Sequence, residues 1–279
     1  MELRAAPGAG PDPESLPFAS IAVRRAGPLL QVTLKRQAQN NAIDAVLLAE
    51  LGALLDCAEA DPRCRAVVLQ GADGVFCTGI DFDAAAAVGA GAPAARTQAG
   101  AYFDLLRRLS DSPLVLVAKV DGMVAGGGVG LVAACDLVVA TGRSSFSLPE
   151  ALWGLLPCCV LPFLIRRVGF QPAYRMALTT QHLGAAAAQQ CQLVDVVDDD
   201  AADAVRRLLL RTLRAEAGVV AELKALARAA HPITREAELR AVEALCRLLA
   251  RPETAAGISA FVERGVFPWE GAGAGCGHD

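Results

Sequence analysis

Short apolar runs alternate with amphipathic segments over the first two thirds of the chain. The runs RAVVLQG, LVLVAKV and DLVVA predict buried strands, and NNAIDAVLLAELGALLDCAEA predicts a helix that Asn41 or Asp44 could cap. ASIAVRR and LLQVTLKR flank the turn AGP and predict a β-hairpin. From about Ala201 onward the pattern is helical throughout. The alternation of strands and helices indicates an α/β fold, and the apolar face of the later helices should pack on the core or on a neighbouring subunit.

The same pattern divides the chain into four segments. We predict a disordered tail over residues 1–17, an α/β core over 18–197, a helical region over 198–270 and a flexible tail over 271–279. The N-terminal stretch MELRAAPGAGPDPESLPF, residues 1–18, has no apolar signal core, so we expect a cytoplasmic protein. Residues 84–100 are rich in Ala and Gly and predict either a poor helix or a mobile flap.

Composition and charge exclude several classes of function. The net charge is −4, whereas a nucleic-acid surface normally carries a basic stripe, so we expect no nucleic-acid partner. No apolar run is long enough to span a bilayer, and we expect no membrane partner. The nine cysteines form no CxxC pair. They are typical of reduced core cysteines, so we expect neither a disulfide framework nor a metal site.

The glycine run AGGGVG can be interpreted in two ways. Gly128 and Gly130 fit a relaxed dinucleotide-binding pattern, but the helix that follows is short, and no acid ends the strand DLVVA. No lysine follows the glycines, which argues against a phosphate loop. Glycines at a helix start also let a ligand oxygen approach unpaired backbone N–H groups. The turn in FCTGIDF offers a second such donor, and two donors aimed at one point form an oxyanion hole, worth about 3 kcal/mol per donor.

The order of several motifs resembles one enzyme family. VTLKRQAQNNAI, VVLQGADGVFCTGIDF, VDGMVAGGGVGLVAACDLVVA and SFSLPEALWGLLP together resemble the crotonase (enoyl-CoA hydratase/isomerase) superfamily over about residues 20–270. The resemblance implies a spiral of ββα units and C-terminal helices that build a homotrimer, with a hexamer formed from two trimers as the alternative. It implies oxyanion donors at the N–H groups of Ile80 and Gly127, with Gly79, Gly126 and Gly128 contacting the substrate.

The resemblance also points to the acids of the site. Hydratases of this family use two glutamates, and the first of these positions is occupied here by Gly130. The second position is Glu150, which we predict to be the acid/base; its apolar neighbours should raise its pKa. Without the family frame, Glu150 is better explained as a helix-start glutamate, favoured there by the helix dipole and by Pro149 before it. Asp81 is the candidate for a second catalytic acid, and a cap on the following turn is its alternative role.

A narrower resemblance concerns the substrate. FCTGIDF, the segment from SSFSLPEALWG to RMALTTQ, and the ending GVFPWE resemble crotonase-like dehydratases of polyketide β-branching. This resemblance implies removal of water from a 3-hydroxy-3-methylglutaryl thioester on an acyl carrier protein, giving a 3-methylglutaconyl thioester. The partner would be the acyl carrier protein, and no cofactor is implied beyond the phosphopantetheine, or coenzyme A, that carries the substrate. The alternatives are an enoyl isomerase, a glutaconyl decarboxylase and a non-catalytic scaffold.

Several cations are candidates for binding the substrate carboxylate or the acidic carrier, although a structural role is the alternative for each. Lys119 and His182 are the candidates for the carboxylate. The candidates for the carrier are Arg166, Arg167 and Arg175.

Overall fold

The computed structural model describes residues 12–81 and 93–269. Its strands are β1 (Ile21–Ala26), β2 (Leu29–Leu34), β3 (Ala66–Gln70), β4 (Val75–Cys77), β5 (Val115–Val120), β6 (Met123–Ala125), β7 (Leu137–Ala140), β8 (Ser145–Ser147), β9 (Leu183–Gly184) and β10 (Val196–Val197). Its α-helices are α1 (Ala45–Ala60), α2 (Pro93–Asp111), α3 (Gly127–Ala134), α4 (Leu161–Val168), α5 (Phe170–Thr179), α6 (Ala185–Gln190), α7 (Ala201–Thr212), α8 (Ala217–Ala230), α9 (Arg235–Leu249) and α10 (Pro252–Arg264). Short 3-10 helices cover Pro13–Ser15, Gln37–Gln39 and Glu150–Trp153.

The strands form two sheets that the chain visits in turn. The larger sheet has the order β1-β2-β3-β5-β7-β10; β1 and β2 form the predicted antiparallel hairpin, and the other pairs are parallel. The smaller sheet has the order β4-β6-β8-β9, with β4, β6 and β8 parallel. A long strand, a short strand and a helical segment recur as β3–β4–α2, β5–β6–α3 and β7–β8–3-10 helix. This recurrence confirms the predicted α/β class and spiral of ββα units.

The central strands of the larger sheet are buried on both faces. Leu116 and Ala118 of β5 belong to the main core, whereas Val115 and Val117 face a second apolar cluster that contains residues of α7. Because parallel strands covered on both faces have no solvent side, they are continuous apolar runs in the sequence. Helix α7 therefore completes the core of the α/β region, as expected for helices that cannot stand alone.

The beginning of the described chain differs from the predicted tail. Residues 12–17 are structured: the Asp12 side chain accepts a hydrogen bond from Glu14 N, Pro13 is buried, and Arg25 N of β1 donates to Glu14 Oε1 at 2.9 Å. The local cap and the restricted φ of proline order this segment despite its polar composition. The disordered tail predicted over 1–17 is therefore wrong for residues 12–17. Residues 1–11, and the tail predicted over 271–279, lie outside the described residues.

Helix boundaries follow local signals where these are strong. Asp44 caps α1 by accepting from Leu47 N at 2.8 Å, and the helix ends before Asp61-Pro62. Helix α2 begins at Pro93, so residues 93–100 are helical, which is the first of the two alternatives predicted for residues 84–100. Residues 84–92 lie outside the described residues. Within residues 12–81 and 93–269, no helix has both the length and the apolar character needed to cross a membrane.

Candidate active site

Two glycine turns meet at the carboxyl ends of neighbouring strands. β4 and β6 run parallel and pair with each other, so the turns after Cys77 and Ala125 leave the smaller sheet at the same edge. Gly79 has a φ of +92°, and a Cβ on it would lie 2.9 Å from the amide nitrogen of Gly127. Another residue at position 79 would be strained and would also collide with that backbone. Glycine at 79 therefore allows the two turns to touch.

The backbone around Ile80 is fixed by a bridge to the loop before α1. Ile43 and Ile80 form a parallel bridge, in which Ile43 N donates to Gly79 O at 2.6 Å and Asp81 N donates to Ile43 O at 3.1 Å. Ile43 thus bonds to the two residues on either side of Ile80 and not to Ile80 itself. In a parallel pairing of this kind, the residue between the two bonded ones directs its N–H to the opposite side. The N–H of Ile80 is therefore directed away from Ile43.

Helix α3 supplies the second predicted donor. It begins at Gly127, with Gly126 as N-cap at a φ of +51°. The N–H groups of a first helical turn have no intrahelical acceptor and lie at the positive end of the helix dipole. A Cβ on Gly128 would lie 2.4 Å from Cys77 O, so glycine at 128 is required for the packing of α3 against the end of β4.

Glu150 lies beside the second glycine turn. Strands β6 and β8 are paired, and Gly126 N extends the pairing by donating to Ser147 O at 3.0 Å. The chain then passes Pro149 and enters the 3-10 helix that begins at Glu150. A Cβ on Gly126 would lie 3.4 Å from Glu150 Oε1, which shows how closely the carboxyl approaches this turn. The two turns and the predicted acid/base thus come together at one place.

The carboxyl of Glu150 is held in an unusual environment. The residue as a whole is partly exposed, yet its Oε2 is enclosed and has no hydrogen-bond partner among the described residues. Burial raises the pKa of Glu150 to about 7, and the backbone hydrogen bond of the residue opposes this only in part. A carboxyl with this pKa exchanges protons readily near neutral pH.

Asp81 lies in the opposite environment. Its Oδ2 accepts from Arg36 Nη2 at 3.0 Å, and the same Arg36 nitrogen lies 2.9 Å from Asp44 Oδ2. Arg36 also donates to Ala42 O. Arg36 therefore ties the 79–81 turn to the start of α1, and the sequence reasoning did not identify it. The sequence feature that could have indicated this role is an arginine shortly before Asp44, the N-cap of α1.

Tyr102 was also missed. Its hydroxyl donates to Gly127 O at 2.5 Å from within α2, far along the chain from the glycine turn. Gly130 is the position at which the resemblance places the first glutamate of the hydratases. A Cβ on Gly130 would lie 2.1 Å from the hydroxyl oxygen of Tyr102. No local pattern indicates this contact; the only sequence signal is that Gly130 is glycine inside a helix.

The candidate cations lie in different settings. Arg167 donates to Leu193 O and Cys135 O and pairs with Asp195 at 2.6 Å, and Arg166 donates to Ser110 Oγ at 2.6 Å. These internal partners are the structural alternative named for both arginines. Arg175 and His182 are exposed, and Lys119 is a partly buried residue of β5. Nowhere in the described part of the chain do three or more His, Cys, Asp or Glu side chains meet as metal ligands would.

Comparison with known proteins gives a consistent result. The enoyl-CoA hydratase/isomerase family model matches residues 24–272. The chain is 36% identical over 255 residues to the bacillaene synthase dehydratase PksH of Bacillus subtilis, covering 91% of this chain and 97% of that protein. It is 30% identical to the 2,3-dehydroadipyl-CoA hydratase of Escherichia coli, covering 91% of this chain and all of that one.

Solved structures agree with this result. The crystal structure of PksH from B. subtilis superposes with a TM-score of 0.81 at 32% identity, covering 90% of this chain and 100% of that one. An enoyl-CoA hydratase from Mycobacterium avium gives a TM-score of 0.79 at 32% identity, covering 90% of this chain and 99% of that one. The chain therefore belongs to the enoyl-CoA hydratase/isomerase family, and it is a hydro-lyase of that family.

Proposed function

We propose that this enzyme removes water from a 3-hydroxy-3-methylglutaryl-type thioester carried on an acyl carrier protein, giving a 3-methylglutaconyl thioester during polyketide β-branching. One observation supports this reaction above all: the enclosed carboxyl of Glu150, whose Oε2 has no hydrogen-bond partner among the described residues, lies beside two touching glycine turns. The turns supply donors for an enolate oxygen, and the carboxyl supplies one proton-transfer group. The site needs no cofactor beyond the phosphopantetheine, or coenzyme A, that carries the acyl group.

The reaction uses these groups in a fixed order. The thioester oxygen accepts hydrogen bonds from the N–H groups of Ile80 and Gly127, which stabilise the negative charge that develops there. Glu150 takes the proton from the carbon next to the thioester, and the C–H electron pair enters the enolate. The enolate then forms the carbon–carbon double bond as the carbon–oxygen bond to the β-hydroxyl breaks. That hydroxyl leaves as water with a proton from an acid of the site.

Two carboxyls could deliver that proton, Glu150 itself and Asp81. The contacts favour Glu150, because the Asp81 carboxyl is engaged with Arg36 at 3.0 Å, whereas Glu150 Oε2 is enclosed and the Glu150 carboxyl lies beside the Gly126 turn. Glu150 has just been protonated and has a pKa of about 7, so it can donate at the same pH at which it accepts. We therefore propose that Glu150 both removes the proton from the carbon next to the thioester and protonates the hydroxyl that leaves the β-carbon.

The similarity to PksH supports the substrate class. That relative is named a dehydratase of bacillaene synthase, and the present chain covers nearly its whole length. The E. coli relative acts on a coenzyme A thioester instead. The choice between carrier protein and coenzyme A is therefore part of the test.

The test is a mass measurement on the acylated carrier. Incubation with 3-hydroxy-3-methylglutaryl carrier protein should remove the mass of one water, and Glu150→Gln should abolish the change. Loss of carbon dioxide from the 3-methylglutaconyl form would instead identify a decarboxylase. An unchanged carrier that still binds the protein would identify a scaffold. The coenzyme A ester, assayed in parallel, measures carrier preference.

We further propose that the enzyme assembles as a homotrimer, or as a hexamer of two trimers. Val219, Leu223 and Leu226 form a stripe on α8 at helical spacing, and they are 56%, 64% and 72% exposed. A second copy of the chain would cover such a stripe. Light scattering should give a trimer or hexamer for the native protein and a smaller species for Leu226→Glu. Glu243→Gln, an exposed change on α9, is the control.

A further inference from the structure

Tyr102 connects α2 to the first residue of α3. Its side chain is buried, with 7% of the residue exposed, and its hydroxyl donates to Gly127 O at 2.5 Å. A Cβ on Gly127 itself would lie 3.3 Å from the same hydroxyl. The phenol oxygen therefore lies against the residue whose N–H we assign to the thioester oxygen.

The same hydroxyl occupies the space beside Gly130. A Cβ at position 130 would lie 2.1 Å from Tyr102 Oη, whereas the next nearest atoms are Leu106 Cδ1 at 3.1 Å and Val160 Cγ2 at 3.2 Å. Gly130 lies inside a helix, where glycine is less favourable than alanine by about 1 kcal/mol. The Tyr102 hydroxyl is therefore the contact that requires glycine at this position.

Residue 130 lies one turn after Gly127 on the same face of α3. A side chain at 130 would therefore extend beside the proposed oxyanion donor, in the space that the phenol now fills. Tyr102 thus excludes from this position any second acid that could reach the substrate.

The phenol is suited to hold a position and not to exchange protons. Burial raises the pKa of Tyr102 well above its ordinary value, and Cys159, Cys77 and Glu150 raise it further. The hydroxyl therefore stays protonated at working pH, with its single proton directed at Gly127 O. Glu150 remains the group that changes its protonation state.

We propose that Tyr102 and Gly130 form a positioning pair: the tyrosine hydroxyl holds the Gly127 backbone in place and keeps the face of α3 beside it free of a second acid. This inference rests on the proposed role of Gly127 as an oxyanion donor. It assigns to Tyr102 a part in orienting the site, with no transfer of its own proton.

The first test removes the hydroxyl and keeps the ring. In Tyr102→Phe we expect kcat for dehydration of the acyl carrier substrate to fall about 10- to 100-fold, since small displacements of a catalytic group have effects of this size. KM should stay within about twofold, and the acid limb of the pH profile, near 7, should not move. Tyr174→Phe removes the hydroxyl of the other tyrosine, which is exposed on α5, and should change nothing. An unchanged kcat, or a displaced acid limb in Tyr102→Phe, would overturn the proposal.

The second test measures the coupling of the two positions. Gly130→Ala alone should lower both Tm and kcat because its methyl group meets the Tyr102 hydroxyl. The double variant Tyr102→Phe/Gly130→Ala should have a higher Tm than Gly130→Ala, since the atom at 2.1 Å is gone and every other neighbour is 3.1 Å or more away. Strictly additive changes in Tm would refute the pairing. The Tm coupling can be read even if the wild-type enzyme does not dehydrate this substrate, so failure of the proposed function and failure of the pairing are distinguishable.

Discussion

The turn at residues 79–81 and the 3-10 helix that begins at Glu150 each place a carboxyl near the glycine turns, but in contrasting surroundings. Asp81 is buried against Arg36, which also binds Asp44, whereas Glu150 Oε2 is enclosed with no hydrogen-bond partner among the described residues. The ion pairs of Arg36 join the 79–81 turn to the start of α1, and removing one partner would leave the other incompletely compensated. A buried carboxyl without a counter-ion is held at a pKa suited to proton transfer. Both regions contain an acid, but only the second has the electrostatics of an acid/base.

Replacing Glu150 should have the largest effect on this contrast. Glu150→Gln should lower kcat by about 10²- to 10⁴-fold, the usual contribution of a general base, with little change in KM. Carrier-linked turnover under saturating substrate measures it, with Glu243→Gln as control. Turnover within a few-fold of the wild-type value would remove Glu150 from its proposed role.

Glu150→Gln should also be more stable than the wild-type enzyme at high pH. A raised folded-state pKa means that the folded protein binds the proton more tightly than the unfolded chain, so stability falls as the pH rises from the ordinary value of 4.5 to about 7. Above about pH 7 the wild-type enzyme has therefore lost about 3 kcal/mol of its free energy of unfolding, because each unit of pKa shift corresponds to about 1.4 kcal/mol. Denaturant unfolding should therefore show Glu150→Gln gaining about this much at pH 8, and less than about 1 kcal/mol at pH 5.

The glycine turn should be nearly as sensitive. Gly79→Ala places a methyl group against Gly127 N in a backbone conformation that alanine disfavours, so the two donors must separate. We expect kcat to fall about 10²- to 10³-fold, as for the loss of one oxyanion donor. Gly100→Ala is the matched control, because a Cβ there meets nothing within 4 Å and lies in α2. A Gly79→Ala enzyme as active as Gly100→Ala would contradict the oxyanion assignment.

The pH profile of the wild-type enzyme should show the environment of Glu150 directly. Proton abstraction requires ionised Glu150, so kcat/KM should fall about tenfold per pH unit below about 7 and level off above it. Stopped assays across this range measure it. An acid limb near the ordinary carboxyl value of 4.5 would show that Glu150 is not the base.

Asp81→Asn should mainly lower the free energy of unfolding and should lower kcat less than Glu150→Gln or Gly79→Ala does. Breaking a buried ion pair leaves Arg36 incompletely compensated, and such changes lower the free energy of unfolding by about 3–5 kcal/mol. Asp44 still faces Arg36 and should reduce that loss. We expect kcat to fall about tenfold through disorder of the 79–81 turn. A far larger drop in kcat with unchanged Tm would instead identify Asp81 as the second catalytic acid.

The smallest effect on turnover is expected from the aromatic cluster around Trp153, which lies in the same 3-10 helix as Glu150. Trp153, in its 3-10 helix, packs against Phe261, Phe267 and Trp269 with ring centroids 5.0, 5.8 and 5.5 Å away. Trp269→Ala should reduce stability by about 1–3 kcal/mol and kcat by only a few-fold, because Trp269 pairs with both Trp153 and Phe267 and each aromatic pair contributes about 0.5–1.5 kcal/mol. Trp269→Phe keeps a ring and should retain most of both. Thermal melts and turnover together measure the support that the C-terminal segment gives to the site.

Local sequence signals were enough for much of the fold. Apolar runs identified β3, β5 and β7, because each signal lies within the element that it marks. For the start of α1 the sequence offered Asn41 or Asp44 as the cap, and the structure shows that Asp44 is the cap. The prediction of a tail over 1–17 was wrong for residues 12–17 because its basis was composition. The hydrogen bond from Arg25 N to Glu14 Oε1, which helps to order that segment, joins it to a strand further along the chain.

The sequence by itself determined which glycines turn the chain at the strand ends and which glutamate follows β8, since order and spacing along the chain carry that information. Only the tertiary structure decided that Asp81 is paired with Arg36, that Glu150 Oε2 has no hydrogen-bond partner among the described residues, and that Tyr102 fills the space beside Gly130. Arg36 meets Asp81 across 45 residues, and Tyr102 meets Gly127 across 25. Burial and counter-ions set the behaviour of a carboxyl, and both arise from chain segments that are brought together only by folding.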